Sequence, residues 1–183
     1  MARVTENLLT AVCATFALSA FGAASAQEVA LATDSPDAKF LTDAARGDVA
    51  EIKMGQLAQQ KGQSEGVRQF GKMLEEDHSK AGKKTAELAK DLNVIPPAQP
   101  SAEQMQKYDA LEKLSGTEFD QQFAAEMVKG HQEEIAKYEK QAQSASNPKV
   151  AKLAEDTLPT LRQHLAVAQG LQSGADVRHD QHD

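Results

Sequence analysis

Aromatic residues and cysteine are scarce in this sequence of 183 residues, which has no tryptophan, one cysteine and only 4% aromatic residues. Sheet proteins favour aromatic and β-branched residues, so this composition argues against a β fold and favours helices. A single cysteine excludes a framework of disulfide bonds. Hydrophobic residues make up 40% and charged residues 26%. That balance permits a packed core and argues against a largely disordered chain.

Positive charge is also in short supply. The 20 lysine and arginine residues face 27 aspartate and glutamate residues, which gives a formal net charge of −7. A surface that binds nucleic acid needs a positive footprint, so no nucleic-acid partner is expected. The nucleotide-loop patterns GxGxxG and GxxxxGKS/T are absent. We predict no catalytic residue and no organic cofactor, and the sequence favours a protein that is not an enzyme.

The one long apolar run, residues 8–21, lies near the start of the chain. It follows Arg3 and precedes an Ala-Ser-Ala stretch at residues 24–26, which is typical of signal-peptidase cleavage. The run is shorter than the ~20 apolar residues of a membrane-spanning helix. We therefore predict a cleavable signal peptide over residues 1–26, a periplasmic or otherwise exported protein, and no integral membrane segment after its removal. An uncleaved anchor is the alternative. Because Cys13 leaves with the leader, the mature chain would carry no thiol.

Helix caps divide the remaining chain. Serine and asparagine residues that favour N-caps precede four of the five apolar periodic stretches, with proline at the first helical position twice and one capping box. These caps are Ser35, Ser64, Ser101 (with Gln104) and Asn147. We predict helices over about residues 36–60, 65–92, 101–114, 117–143 and 148–171. Pro159 is expected to bend the last helix, and residues 173–183 are expected to form a disordered polar tail.

These elements predict an all-α fold. Two long hairpins, with turns near Gly62 and Asn147, are separated by the proline-containing segment 93–100. We expect residues 27–172 to form a ferritin-like four-helix bundle of two antiparallel hairpins, with that segment as a crossover and a short extra helix. An extended helical array or a coiled-coil dimer is the alternative, which the tight turns disfavour.

Three of the five histidines lie on apolar helical seams. His78, His131 and His164 each have hydrophobic residues about one turn away on the same face. A buried imidazole needs a hydrogen-bond partner, since an unpaired buried polar group costs about 1–3 kcal/mol. The remaining two, His179 and His182, fall in the tail, where an inert role is expected over loose capture of cations.

Counting residues from the two turns predicts which side chains share a level. His131 lies 16 residues before Asn147 and His164 lies 17 after it, so these rings could face each other.

On the other hairpin, His78 lies 16 residues after Gly62, level with residues 46–48 of the first helix. This counting favours Asp48 over Glu51 as the acid that faces His78.

Imidazoles combined with a carboxylate suit Fe, Zn, Cu or Mn, and bundle cores often hold such sites. A di-iron centre would need more carboxylates, because only Glu75 precedes a seam histidine by three residues. The alternative is that the interior histidines are only hydrogen-bonded to acids across helices. Glu75, Glu76 and Asp77 are expected to form a solvated acidic face.

The sequence resembles the exported bacterial family known as domain of unknown function 4142. The resemblance covers residues 44–61, 67–84, 114–139 and 153–171. Its pattern is carried by Glu51, Asp77-His78, His131, Leu158-Pro159 and His164. Members usually have Asp-His where this chain has Gly130-His131. The family implies a ferritin-like four-helix fold and export, but no established activity, and its pattern favours Glu51 as the fourth partner.

Two functions therefore remain open. The first is a metal-binding bundle, which could be redox-active. Its ligands would be Glu51, His78, His131 and His164, with Asp48, Asp77 and Glu134 as alternative carboxylates. The second is a non-catalytic structural or stress-related bundle of the cell envelope. A small-ligand carrier with a cavity near Pro159 is a third and weaker hypothesis.

Overall fold

The structure is a computed structural model that describes residues 34–174. These residues form five α-helices and no strand, so the all-α prediction is confirmed. The helices are α1 (Pro36–Lys61), α2 (Glu65–Asp91), α3 (Ala102–Glu112), α4 (Gly116–Ser144) and α5 (Pro148–Gln172). The predicted signal peptide and all of the predicted tail after residue 174 lie outside the described residues. None of these helices combines the length and hydrophobicity needed to cross a membrane.

The helices begin where the caps predicted. The hydroxyl of Ser35 accepts a hydrogen bond from the backbone N–H of Ala38, and Ser64 caps α2 in the same way. Ser101 and Gln104 form the reciprocal capping box of α3. These caps satisfy N–H groups that have no partner within the helix.

Neighbouring helices form two hairpins. α1 packs along α2 and α4 packs along α5, while further contacts join α2 to α5 and α1 to α4. The short helix α3 lies against α1 and α4. Residues 93–115 connect the end of α2 to the start of α4, which lies beside the turn between α1 and α2. The connection therefore runs the length of the bundle.

Each hairpin turn is held by an aspartate from the other hairpin. Asp120 of α4 accepts hydrogen bonds from the backbone N–H groups of Gln63 (2.9 Å) and Ser64 (2.8 Å). Asp37 of α1 accepts one from the backbone N–H of Asn147 at 2.8 Å. We call this pair the reciprocal turn clamps. They place the start of α1 beside the end of α4, so the two hairpins pack with α1 and α4 antiparallel.

The core has two apolar clusters. One, near the turn between α4 and α5, is built around Phe40, Leu41, Leu92, Tyr138 and Val150. The other, near the turn between α1 and α2, is built around Phe70, Leu74, Phe119, Phe123 and Met127. Buried polar residues lie at the levels between them: Asp48, His78, Thr85, His131 and His164. The bundle therefore carries a polar layer within its apolar interior.

The backbones of α1 and α2 lie close together at Gly55 and Gly71. A Cβ added at Gly71 would lie 2.6 Å from the carbonyl oxygen of Gly55 and 2.8 Å from the Cβ of Ala58. The backbones are therefore too close for any side chain there. Gly130 of α4 differs, because an added Cβ would meet nothing within 4 Å.

Gly71 and Gly130 predict opposite effects of substitution by alanine. Gly71→Ala should lower the free energy of unfolding by about 1–3 kcal/mol, because the new methyl group meets backbone that cannot yield. Gly130→Ala, the matched control, should raise it by about 0.5–1 kcal/mol through the higher helix propensity of alanine. Urea unfolding of both variants measures the difference, and a Gly71→Ala variant as stable as wild type would contradict the close approach.

Candidate metal centre

His78, His131 and His164 meet in the polar layer. Each is at most 2% exposed, and the ring centroids are 6.2 Å apart between His78 and His131, 5.4 Å between His78 and His164, and 5.3 Å between His131 and His164. One ring nitrogen from each residue lies within 4.8 Å of those from the other two. We call these residues the imidazole cluster. Three different helices, α2, α4 and α5, thus supply one ring each.

His131 and His164 face each other as residue counting predicted. Nε2 of His131 lies 3.3 Å from Nδ1 of His164. The other nitrogen of His131, Nδ1, lies 2.9 Å from the carbonyl oxygen of Met127, one turn earlier in α4. Because a carbonyl oxygen can only accept, Nδ1 of His131 carries a hydrogen and donates it there.

Carboxylates anchor the other two rings. Oδ1 of Asp48 lies 3.0 Å from Nδ1 of His78, and Oδ2 of Asp48 accepts a hydrogen bond from the hydroxyl of Thr85 at 3.3 Å. Oδ2 of Asp77 lies 3.2 Å from Nε2 of His164. Both carboxylates are acceptors, so the facing ring nitrogens donate. Outer partners of this kind orient histidines in metal sites.

Each of the three rings has a second nitrogen, which is not held by these outer partners and faces the interior of the cluster. By elimination these are Nε2 of His78, Nε2 of His131 and Nδ1 of His164. Nε2 of His78 is buried and has no hydrogen-bond partner among the described residues. The cluster is therefore a set of three convergent nitrogens whose opposite ring positions are already held.

Acidic neighbours make His78 a cation in the absence of metal. Burial lowers the pKa of this imidazole, but the hydrogen bond to Asp48 and the negative charges of Glu51, Glu134 and Asp48 outweigh it and raise the pKa to about 9. The interior of the bundle thus favours positive charge at this position.

The other two rings are held neutral. Burial lowers the pKa of His164 to about 4, and electrostatic interaction with the neighbouring imidazoles of His78 and His131 adds to this shift, although Asp77 opposes it. Burial likewise lowers the pKa of His131. Partial burial opposes ionisation of Asp77, but its hydrogen bonds with Lys80 and His164 hold its pKa below the usual value. Neutral imidazole is the form that binds metal ions.

Glu51 and Glu134 lie beside the cluster and both line a cavity between α1 and α4. Oε2 of Glu51 is buried and has no hydrogen-bond partner among the described residues. Burial raises the pKa of Glu51 and of Glu134, and the charge of His78 opposes both shifts. Neither carboxylate belongs to the group of donor atoms that lie within 4.8 Å of one another.

The structure separates the sequence-predicted acids by role. Asp48, favoured by residue counting, contacts His78, whereas Glu51, favoured by the family pattern, faces the cavity. The expectation of a solvated acidic face holds for Glu76, which is exposed, whereas Glu75 is partly buried and accepts hydrogen bonds from Gln56 and Gln59 of α1. It is wrong for Asp77, because this carboxylate turns toward α5 and contacts His164.

Two anchoring groups were not predicted. The carbonyl oxygen of Met127 has no sequence signature of its own, although it precedes His131 by one turn. Thr85 lies on the same helical seam as His78, two turns later, and that spacing is the signal that could have identified it.

Comparison with known proteins adds a family and a fold. A family model described as "Domain of unknown function (DUF4142)" matches residues 22–171. Among solved structures, "Crystal structure of DUF305 fragment from Deinococcus radiodurans" is similar, with a TM-score of 0.67 and 15% sequence identity over 76% of this chain and 97% of that chain. At this identity the similarity concerns the fold. No curated protein matches this sequence.

The opposite pKa shifts predict a stability maximum for the metal-free protein. Folding raises the pKa of His78 from 6.5 to about 9, so its stabilising contribution is complete below pH 6.5 and is lost as the pH rises toward 9. Folding lowers the pKa of His164 from 6.5 to about 4, so its contribution is complete above pH 6.5 and is lost as the pH falls toward 4.

Thermal unfolding in a chelator, followed by circular dichroism from pH 4 to pH 9, measures this dependence. We expect His78→Asn to flatten the alkaline limb and His164→Asn to flatten the acidic limb, relative to wild type. Limbs with unchanged slopes in these variants would contradict the assigned protonation states.

Proposed function

Because the chain belongs to the DUF4142 family, whose description assigns no activity, we propose a function from the site itself: the protein is an exported helical bundle that binds a metal ion through His78, His131 and His164. The donors are three imidazole nitrogens inside a bundle whose mature chain would carry no thiol. This donor set suits Zn, Cu or Fe, and nearby carboxylates extend the range to Mn.

The contact between His131 and His164 carries the proposal. Nδ1 of His131 donates its hydrogen to the carbonyl oxygen of Met127. Nε2 of the neutral ring therefore carries a lone pair and no hydrogen. If neutral His164 donates from Nε2 to Asp77, its Nδ1 is also a lone pair, and two lone pairs face each other at 3.3 Å. If it donates from Nδ1 instead, a lone pair faces the Asp77 carboxylate. A neutral His164 therefore always leaves one repulsive contact, and a cation between the two lone pairs removes it.

The spacing of these nitrogens supports the same conclusion. Two nitrogens bound to one tetrahedral ion at ~2.0–2.1 Å lie about 3.3–3.4 Å apart. Nε2 of His131 and Nδ1 of His164 are 3.3 Å apart. His78 is the proposed third ligand, and its donor atom lies within 4.8 Å of the other two.

We retain Glu51 as the proposed carboxylate ligand, with Asp48 and Asp77 as outer partners of the rings. The support is the buried Oε2 of Glu51, which has no hydrogen-bond partner among the described residues. The acids around His78 also offset the charge of a divalent cation.

The proposed scaffold is the ferritin-like four-helix arrangement of residues 27–172, with α3 as the extra helix. Its support is the pairing of helices in two hairpins and the lengthwise connection over residues 93–115. The proposed location is the periplasm or another exported compartment. Its support is the leader pattern of residues 1–26 and the loss of Cys13 with it.

Metal binding predicts a rise in thermal stability. An ion present at 100 times its Kd should stabilise the untagged protein by about 2.7 kcal/mol, or roughly 5–10 °C in Tm. His131→Asn should abolish the shift, whereas the double variant His179→Ala/His182→Ala, which leaves the imidazole cluster intact, should keep it.

Elemental analysis of the purified protein and melting curves with added Zn²⁺, Cu²⁺, Fe²⁺ or Mn²⁺ provide the measurement. If the wild-type protein contains no metal and none of these ions changes its Tm, the metal-binding proposal is wrong. The alternative, a non-catalytic structural or stress-related bundle, then remains. In that case His131→Asn would lower stability without affecting any binding.

Binding should also release a proton. His78 is protonated near pH 7.5 because its pKa is about 9, and a metal ion needs the deprotonated ring. We expect release of about one proton per ion at pH 7.5 and almost none at pH 10. Titration calorimetry in buffers of different ionisation enthalpy measures this number, and a value near zero at pH 7.5 would rule out His78 as a ligand.

A further inference from the structure

A cavity of about 310 Å³ lies between α1 and α4 and is covered on one side by α3. Its wall includes buried Met54, Met127 and Tyr138, and its outer rim includes the exposed residues Glu103 and Glu133. The cavity therefore extends from the surface into the bundle. We call it the α1–α4 cavity.

Two glycines on facing helices keep the cavity open. Gly47 of α1 and Gly130 of α4 both line it. A Cβ at Gly130 would meet nothing within 4 Å, and one at Gly47 would make only an ordinary contact of 3.6 Å with Oε1 of Glu134. Glycine weakens a helix relative to alanine. Unlike Gly55 and Gly71, where the backbones touch, these glycines have no packing reason to lack a side chain, and their effect is open space.

The lining of this cavity is acidic. Six acidic and three basic side chains line it. The smaller cavity on the opposite face, of about 150 Å³ between α2 and α5, has two acidic side chains and two lysines. An acidic concave surface concentrates cations and repels anions. The α1–α4 cavity is thus the face of the bundle that attracts a cation.

None of the three histidines lines the α1–α4 cavity, but two of its lining residues lie beside one of them: Gly130 directly precedes His131, and the carbonyl oxygen of Met127 accepts a hydrogen bond from His131. Glu51 and Glu134 line the cavity, and the charges of both act on His78. The charge of Glu134 also acts on His131, which lies one turn earlier in α4. Within residues 34–174, Oε2 of Glu51 and Nε2 of His78 are buried and have no hydrogen-bond partner, and the side chain of His78 is only 3% exposed.

We propose that the α1–α4 cavity is the route by which a divalent cation reaches the imidazole cluster, and that Glu51 and Glu134 form the carboxylate site that captures the ion at its inner end. This inference rests on the proposed metal-binding function. It assigns Glu134 a role in capture that does not require it to be a ligand of the bound ion. Oxygen donors hold a hydrated cation weakly enough to pass it on to imidazole nitrogens, which bind transition metals more tightly.

The cavity between α2 and α5 is the competing route, because His78 and His164 line it directly. Two lysines, Lys80 and Lys84, lie on that side. Nζ of Lys80 is 3.1 Å from Oδ1 of Asp77, so the carboxylate there is already paired with a cation. The two lysines balance the two acidic side chains of this face, so it lacks the excess negative charge with which the α1–α4 cavity attracts a metal ion.

Stopped-flow absorbance of Co²⁺ binding to the untagged, metal-free full chain tests the route. Gly130→Leu extends a side chain into the α1–α4 cavity from a position where the Cβ itself meets nothing within 4 Å, and we expect it to slow loading about tenfold or more. Gly130→Ala should slow it less. Glu134→Gln removes one charge and should slow loading about three- to tenfold, with a smaller effect at high salt. Ala81→Leu, the matched control, fills the opposite cavity and should load at the wild-type rate.

The amount of Co²⁺ bound at equilibrium separates the two proposals. If wild-type protein binds no Co²⁺, the metal-binding function fails and the route fails with it. If wild type binds Co²⁺ and folded Gly130→Leu and Glu134→Gln load at the wild-type rate, the route alone is overturned. Slow loading in Ala81→Leu but not in Gly130→Leu would also overturn it, in favour of the opposite face. Slow loading with unchanged final occupancy in Gly130→Leu supports the route.

Discussion

Three imidazoles inside an apolar bundle need partners, and this constraint organises the middle of the molecule. Each ring has one nitrogen held from outside the cluster, by Asp48, by Asp77 or by the carbonyl oxygen of Met127. Asp48 joins α1 to the ring from α2, and Asp77 joins α2 to the ring from α5. The contact between His131 and His164 joins α4 to α5, so the polar layer links all four long helices. The same contacts that satisfy the rings turn their remaining nitrogens toward one another. Structural support and the candidate site are therefore one set of interactions.

The charge balance of this layer is the second part of the constraint. Asp48, Glu51 and Glu134 all act on His78, while the other two rings are neutral. Buried carboxylates without nearby positive charge are costly, so the interior requires a cation of some kind. In the absence of metal a proton on His78 supplies part of that charge. A bound metal ion would supply this positive charge at the point where the three rings converge. The surrounding carboxylates would keep their negative charge and their positions.

Features that depend on local sequence were predictable, and features that depend on helix rotation were not. The N-caps at Ser35, Ser64 and Ser101 act over three residues, so they located the helix starts. Counting from a turn placed His131 opposite His164 because register along a hairpin accumulates little error. Asp77 was misplaced because adjacent residues point about 100° apart, and its contact is with a different helix from that of His78. Nor does a sequence distinguish Gly71, which touches backbone, from Gly130, which borders open space.

The reciprocal turn clamps have a consequence for how the bundle opens. Asp37 and Asp120 lie at opposite ends, and each is bonded to backbone N–H groups of the hairpin to which it does not belong. If one hairpin swings away, its own aspartate and its own turn both lose partners at once. Separation of the two hairpins therefore breaks the hydrogen bonds at both ends of the bundle. Amide protons at the two distant turns should exchange with solvent in a single concerted event, which ties exposure of the interior to unfolding of the whole domain.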